Sequence, residues 1–210
     1  MSAAARPDLR VGEAFVDVQG PDVRSVLRDE PEAAVVVPLL LSAGYHVHVD
    51  IAEALNGHHD AVRSDVLGCS RDVMEILVRR VRDAGAVHGD QLVLATAGSR
   101  DPRARVEIDR AARLLGQLWG APVRVGNIAA GGPTVADAVA DIRDRVPAAR
   151  VVVASYLLTP GTFWHRLHAC GADAVSKPLL TADAPDPRLV RLVTRRFAEA
   201  RAQLVDRALA

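Results

Sequence analysis

The chain has 210 residues, enough for one large domain or two of about 100 each. Basic and acidic side chains number 26 each, so the formal net charge is zero and no global basic field points to nucleic acid. Hydrophobic residues make up 50% and aromatics only 3%, so the core is expected from Val, Leu, Ala and Ile, and no apolar run approaches the ~20 residues of a membrane span.

The opening Met1-Ser2-Ala3-Ala4-Ala5-Arg6-Pro7-Asp8 lacks the apolar stretch of a signal peptide. The pattern then predicts a strand over 11–18, a helix over 22–28, a strand over 34–40 and a helix over 47–55. A weaker strand over 61–65 leads to a helix over 70–84, striped by Val73, Leu77 and Val81. Strand 91–97, helix 103–118, strand 123–128, helix 134–145, strand 151–157, helix 162–170 and a short strand over 174–177 follow. Helix 187–207, with Pro187 in its first turn, closes the chain on a stripe of Leu189, Val193, Phe197, Ala200 and Leu204. Val35-Val36-Val37 and Leu92-Val93-Leu94 are continuous apolar runs, as in parallel strands buried between helix layers. The alternation predicts a doubly wound α/β fold.

The back half repeats the front half. Leu9-Arg10-Val11-Gly12 matches Val123-Arg124-Val125-Gly126, and Gly20-Pro21-Asp22-Val23 matches Gly132-Pro133-Thr134-Val135. Val35-Val36-Val37 matches Val151-Val152-Val153, and Leu40-Leu41-Ser42-Ala43-Gly44 matches Leu157-Leu158-Thr159-Pro160-Gly161. Both copies end in an Arg-rich amphipathic helix. The back copy alone begins with a strand, a Gly-Ser-Arg-Asp-Pro turn and a helix, spanning 92–120. The Gly-containing stretch 83–90 sets a module boundary, giving modules 1–86 and 87–210. Cys69 and Cys170 fall in different modules, which argues against a disulfide framework and suits a reducing cytoplasm.

The sharpest chemical cluster is Gly44-Tyr45-His46-Val47-His48-Val49-Asp50, directly after a buried strand, where open α/β sheets place ligands. On a strand His46, His48 and Asp50 share a face; on a helix His46 and Asp50 share one at i, i+4. A neutral imidazole is a ligand for Fe, Co, Ni or Zn and can take up a proton, and a neighbouring carboxylate fixes its tautomer. The plain alternative is a helix start with incidental polar groups. The second cluster is Gly98-Ser99-Arg100-Asp101-Pro102, between strand and helix: an anion site at a helix start, or simply a turn with Asp101 as cap. His58-His59-Asp60 reads as a solvated loop. His165 and His168 share a helix face without a third ligand at metal spacing. Cys69 precedes a helix start, where its pKa could be lowered, but a small packing residue is the default. Walker, Gly-x-Gly-x-x-Gly, Cys-x-x-Cys and Gly-x-Ser-x-Gly motifs are absent.

These residues resemble the sirohydrochlorin chelatase family, the class II chelatases that put cobalt or ferrous iron into sirohydrochlorin. Val35 to Asp50 follows the family's strand and Gly-Tyr-His turn, Phe15 to Pro21 its Phe-Val-Asp-Val-Gln-Gly-Pro segment, and Ala97 to Arg103 its His-Gly-Ser-Arg-Asp-Pro-Arg turn with alanine in place of histidine. The resemblance implies two tandem flavodoxin-like chelatase modules with parallel sheets, the first lacking its opening strand and helix. It implies a flat, polycarboxylated tetrapyrrole as substrate, cobalt or iron as a second substrate rather than a resident cofactor, and a place in siroheme or cobalamin synthesis. Two family histidines do the chemistry. His46 matches one, as metal ligand and proton acceptor, with Asp50 as its orienter. Ser99, Arg100 and Arg103 are the candidate contacts for substrate carboxylates. In the back copy the two histidine positions hold Ala97 and Phe163, so that copy is expected to be scaffold.

The front histidine turn falls in the part of the module that this sequence lacks. The close pattern from Phe15 to Asp50 favours a reading frame started late over a decayed short protein that binds metal or tetrapyrrole without turnover. In the family's strand order, 2-1-3-4, the missing strand is interior. Strand 11–18 is therefore expected to lose its neighbour, at about 1–3 kcal/mol for each backbone group buried unsatisfied. An orphaned edge of this kind can recruit a second chain, so a homodimer is a further expectation. No nucleic acid, membrane or permanent cofactor is expected.

Overall fold

The structure is a computed structural model that describes residues 9–16, 19–30, 32–42, 46–58 and 60–208. Contacts divide the chain into two compact units: one of residues 1–39, 43–67 and 190–210, the other of 40–42 and 68–189. The repeat in sequence and the units in space are different divisions. The helix closing the front copy, α3 (Arg71–Asp83), belongs to the second unit. Most of the helix closing the back copy, α7 (Pro187–Ala208), belongs to the first.

The second unit carries a four-stranded parallel sheet in the order β4-β3-β5-β6, from β3 (Gln91–Gly98), β4 (Arg124–Ala130), β5 (Val151–Ser155) and β6 (Ala174–Val175). Numbered within the module, this is 2-1-3-4. The continuous apolar runs are central because both faces are covered: all of Leu92 to Ala95 and Val151 to Ala154 are fully buried. One face packs Val93, Ala95, Val151 and Val153 on α5 (Val135–Arg145), through Val135, Ala138, Val139 and Ile142. α3 packs on β5 and on α4 (Pro102–Trp119), which itself packs on β3 and β4. At β4, Gly126 lets α5 approach, since a Cβ there would lie 2.6 Å from the Val135 Cα.

The first unit holds the shorter version: β1 (Ala34–Val36) and β2 (Ala61–Arg63), parallel, with Ala34 opposite Ala61. This pair matches β5 and β6. Its small core joins Val23 and Leu27 of α1 (Val23–Arg28) to Ala54 and Ala61. The strand expected over 11–18 is not formed among the described residues. Phe15 makes one isolated parallel bridge to Asp22, while residues 10–14 are exposed. Among the described residues no strand pairs with this segment. β4 is a strand because β3 lies beside it, and the front segment, without such a partner, leaves its polar backbone to water instead of burying it.

What the front segment keeps is the repeat's turn. Phe15 donates its N–H to the Pro21 carbonyl at 2.9 Å, and Asn127 does the same to Pro133 at 2.9 Å. The bridge from Phe15 to Asp22 has its counterpart in Asn127 to Thr134. The helix caps are the same pair of groups exchanged. In α1 the acid caps: Asp22 accepts the Ser25 N–H at 3.0 Å and its hydroxyl at 2.7 Å. In α5 the hydroxyl caps: Thr134 accepts the Asp137 N–H at 3.1 Å, and Asp137 accepts the Thr134 N–H at 2.9 Å. The hydroxyl bond first, then the backbone bond, holds each carboxyl below the ordinary range. Both contributions are therefore present at neutral pH and are lost in acid as the pH falls through the lowered values. Among the described residues, no helix is long and apolar enough to cross a membrane.

Candidate functional site

β1 ends early, and one residue explains it. Pro38 follows the three valines and has no N–H to give a ladder. Its counterpart Ser155 donates its N–H to the Ser176 Oγ at 2.9 Å, and β5 runs on to that residue. Residues 39–42 form no regular structure, and His46–Ile51 form a π-helical turn that passes into α2 (Ala52–Leu55). The choice left open in the sequence is thus resolved as helix. His46 and Asp50 stand four residues apart on this turn, and π-turns of this kind recur at functional sites. Asp50 is half-buried, and Ile51 is buried beneath it in the chain. Gly44 and Tyr45 lie outside the described residues, as do the side chains of His46 and His48. His59 also falls outside them, and its neighbour Asp60 accepts the Ala34 N–H at 2.9 Å, an ordinary structural bond.

The segment before this turn is held in the second unit. The Leu40 carbonyl accepts the Gly68 N–H at 3.4 Å, and the Leu41 carbonyl accepts the Tyr156 hydroxyl at 3.0 Å. Tyr156 is 4% exposed. Burial pushes its phenol pKa well above the ordinary value, so the hydroxyl remains a donor throughout the working pH range. The bond's only trace in the sequence is a tyrosine in the back copy where the front copy has Leu39.

The second cluster sits at the carboxyl ends of β3 and β4. Thr96 and Asn127 form a buried pair at 3.1 Å, and the Thr96 Oγ1 also accepts the Gly98 N–H at 3.1 Å. Ser99 accepts the Asp101 N–H at 3.1 Å. Asp101 caps α4 by accepting the Arg103 N–H at 2.9 Å and holds the Arg103 side chain through Nε at 3.2 Å and Nη2 at 2.9 Å. The Arg103 fork is therefore already occupied by a carboxylate, and that bond raises its pKa further. Arg100 is exposed and makes no ion pair among the described residues. The structure thus brings Ser99, Arg100 and Arg103 into one turn, with Arg100 the side chain left open to an incoming anion.

In the back copy, Phe163 stands at the Gly-Tyr-His histidine position. It opens α6 (Thr162–Leu167), is 37% exposed and carries the Arg166 guanidinium 5.9 Å from its ring centroid. His165 and His168 are exposed and pack against Trp164, with ring centroids 5.3 and 4.8 Å from it. Among the described residues, no group of three or more His, Cys, Asp or Glu side chains is placed to hold a metal ion. Cys69 is no activated thiol. Burial raises its pKa, with Arg110 opposing and Glu107 reinforcing the shift. Cys69 should therefore resist iodoacetamide in the folded protein at about pH 7.5 and react at an ordinary rate once unfolded, as peptide mass spectrometry will read.

No curated protein matches the sequence. Among solved structures the chain is similar to SirB from Bacillus subtilis with Fe3+, at 19% identity and a TM-score of 0.70, over 93% of this chain and 85% of that one. It is similar to the sirohydrochlorin chelatase SirB from Bacillus subtilis subspecies spizizenii in complex with cobalt, at 18% identity and a TM-score of 0.63, over 89% and 78%. It also resembles DR2241 from Deinococcus radiodurans, a multi-domain protein with structural similarity to chelatases, at 19% identity and a TM-score of 0.59, over 86% of this chain and 44% of that one. At these identities the likeness establishes the fold. The CbiX family model matches residues 2–84 and 91–200, which takes in both copies of the repeat. The chain belongs to the CbiX family, the chelatase family that its sequence resembles.

Proposed function

We propose that this protein inserts a divalent metal, cobalt or ferrous iron, into sirohydrochlorin. The observation that carries the reading is the family match over both copies, joined to a histidine and an aspartate four apart on a π-turn beyond the first strand of the front sheet. Insertion exchanges two pyrrole N–H protons for one dication, so the ion must be held and both protons must be taken up. His46 holds the ion and, once the ion has passed to the macrocycle, its freed nitrogen takes one proton while water takes the other; Asp50 orients its imidazole. Arg100 meets carboxylates of the macrocycle, while Ser99 and Arg103, through Asp101, set the turn that presents it.

The test is anaerobic addition of Co²⁺ or Fe²⁺ to purified protein and sirohydrochlorin, followed by absorption. We expect the metal-free bands to be replaced at a rate proportional to protein concentration. Tetrapyrrole binding without such a change supports the other reading, an accessory protein that carries metal or tetrapyrrole. That reading draws on a front sheet of only two strands among the described residues. Failure to bind either ligand ends both readings.

A further inference from the structure

One buried polar pair belongs to the back copy alone. At the carboxyl ends of β3 and β4 the Thr96 hydroxyl donates to the Asn127 Oδ1 at 3.1 Å, with Thr96 2% and Asn127 7% exposed. The Thr96 oxygen in turn accepts the Gly98 N–H at 3.1 Å. On the other side, the Asn127 Nδ2 and backbone N–H both donate to the Pro133 carbonyl, at 3.1 and 2.9 Å. One run of bonds thus ties the turn after β3 to the loop after β4. In the front copy the matching bond to Pro21 is made by the N–H of Phe15 alone. The repeat's turn therefore forms without the amide and the hydroxyl, and their use lies elsewhere. A buried polar pair gains little net stability, but a fully bonded one holds its neighbours in a single arrangement. What this pair holds is Gly98, at φ +87°, and with it the next two residues, Ser99 and Arg100. The same turn is pressed on the β4 loop, where a Cβ on Gly131 would overlap the Ser99 carbonyl.

We propose that Thr96 and Asn127 are positioning residues for the anion contact at Arg100: their bonded pair fixes the Gly98 turn, and with it the point from which the Arg100 side chain meets a carboxylate of the macrocycle. The proposal rests on the role given to Arg100 above. Arg100 is exposed and no ion pair among the described residues holds its fork, so its backbone is what aims it. Its neighbours in the turn are engaged with one another, Ser99 with the Asp101 N–H and Asp101 with Arg103. A long side chain gives up much freedom on binding, and a wandering backbone adds to that loss. Without the Thr96 hydroxyl the Gly98 N–H loses its acceptor, and the arrangement that binds is populated less often. Apparent affinity then falls in the same proportion.

The test is sirohydrochlorin binding by the full chain without metal, read by fluorescence quenching. Thr96→Val removes the hydroxyl and keeps the shape. We expect its dissociation constant to rise about fivefold, the ratio that one net hydrogen bond sets. Thr96→Ser keeps the hydroxyl and trims a buried methyl. It should lose melting temperature as well, yet bind within about twofold of wild type. In an Arg100→Ala background, Thr96→Val should cost less than about 1.5-fold further, because the side chain it positions is gone. Asn127→Leu takes away the hydroxyl's acceptor and should weaken binding in the same direction; it carries the test if the valine variant does not fold. Wild-type affinity in these two variants, an equal loss in Thr96→Ser, or the same fivefold loss with Arg100 absent overturns the proposal. Arg100→Ala separates the two layers: if it alone binds like wild type, the role of Arg100 fails and this proposal with it. If it binds weakly while Thr96→Val binds like wild type, only the positioning role fails.

Discussion

Replacing His46 with alanine should lower kcat/KM for metal insertion at least about 100-fold, the range over which a positioned proton acceptor contributes. The loss should exceed that from a missing proton acceptor alone, because the same imidazole is the proposed landing site for the ion. Asp50→Asn should sit between wild type and His46→Ala, at a loss of about 10- to 100-fold, the effect of removing the partner that orients a metal-binding imidazole. Both changes lie on a helical turn and replace polar side chains with smaller or equal ones, so far-ultraviolet circular dichroism should be unchanged. The measurement is initial rate against metal concentration at saturating sirohydrochlorin. Turnover by His46→Ala within about threefold of wild type would remove this residue from the mechanism, since no single proton acceptor of value costs so little.

The central strands were readable because burial on both faces writes itself as an unbroken apolar run: Leu92-Val93-Leu94 and Val151-Val152-Val153 have no polar side to show. Strand ends were not readable, because single atoms decide them. Residues 34–40 look uniformly apolar, yet the strand stops at Val36, before the proline that lacks an N–H. The short strands expected over 61–65 and 174–177 are cut at matching serines. Ser64 turns its hydroxyl to the Asp65 carbonyl at 2.9 Å and Ser176 to the Lys177 carbonyl at 3.2 Å, and each still donates its N–H across the strands, to Val36 and Val153 at 2.9 Å, as the last ladder bond. Residues 11–18 carry the composition of a strand, but a strand is a pairing rather than a property of one segment, and the partner decides.

The candidate site was legible to a different depth. The linear spacing of His46 and Asp50 was plain, but the π-turn that carries them has no compositional mark. The Gly98 to Arg103 turn was read as either an anion site or a capped helix start, and it is built as the second with Arg100 left over for the first. What spacing could not reveal is that Arg103 is spent on Asp101, because a bidentate pair two residues apart depends on the cap geometry of Asp101. Tyr156 escaped for the opposite reason. Its partner lies more than 100 positions away, and a hydroxyl within an apolar run reads as core until the fold supplies the carbonyl it meets.

Gly98→Ala should be among the most damaging small substitutions in the second unit, by about 3 kcal/mol, or about 6–12 °C in melting temperature for a chain of this length. Two costs combine there. Gly98 has φ +87°, in the left-handed region that a Cβ disfavours. An added Cβ would also overlap the Ala130 carbonyl oxygen and lie 2.9 Å from the Ala130 nitrogen, and neither belongs to a flexible side chain. The contact is reciprocal, since a Cβ on Gly131 would overlap the Ser99 carbonyl. These two strand ends approach more closely than any side chain allows, and that approach brings the Ser99–Arg100 turn up against β4 and its outgoing loop. Gly171→Ala is the control. Its φ is +81° in the same unit, but nothing lies within 4 Å of the added carbon. It should lose only about 1 kcal/mol, the backbone cost alone. Calorimetry on the two variants separates strain from collision. Equal shifts would mean that β3 and β4 part without difficulty, and then the Arg100 turn is not held in the place assigned to it.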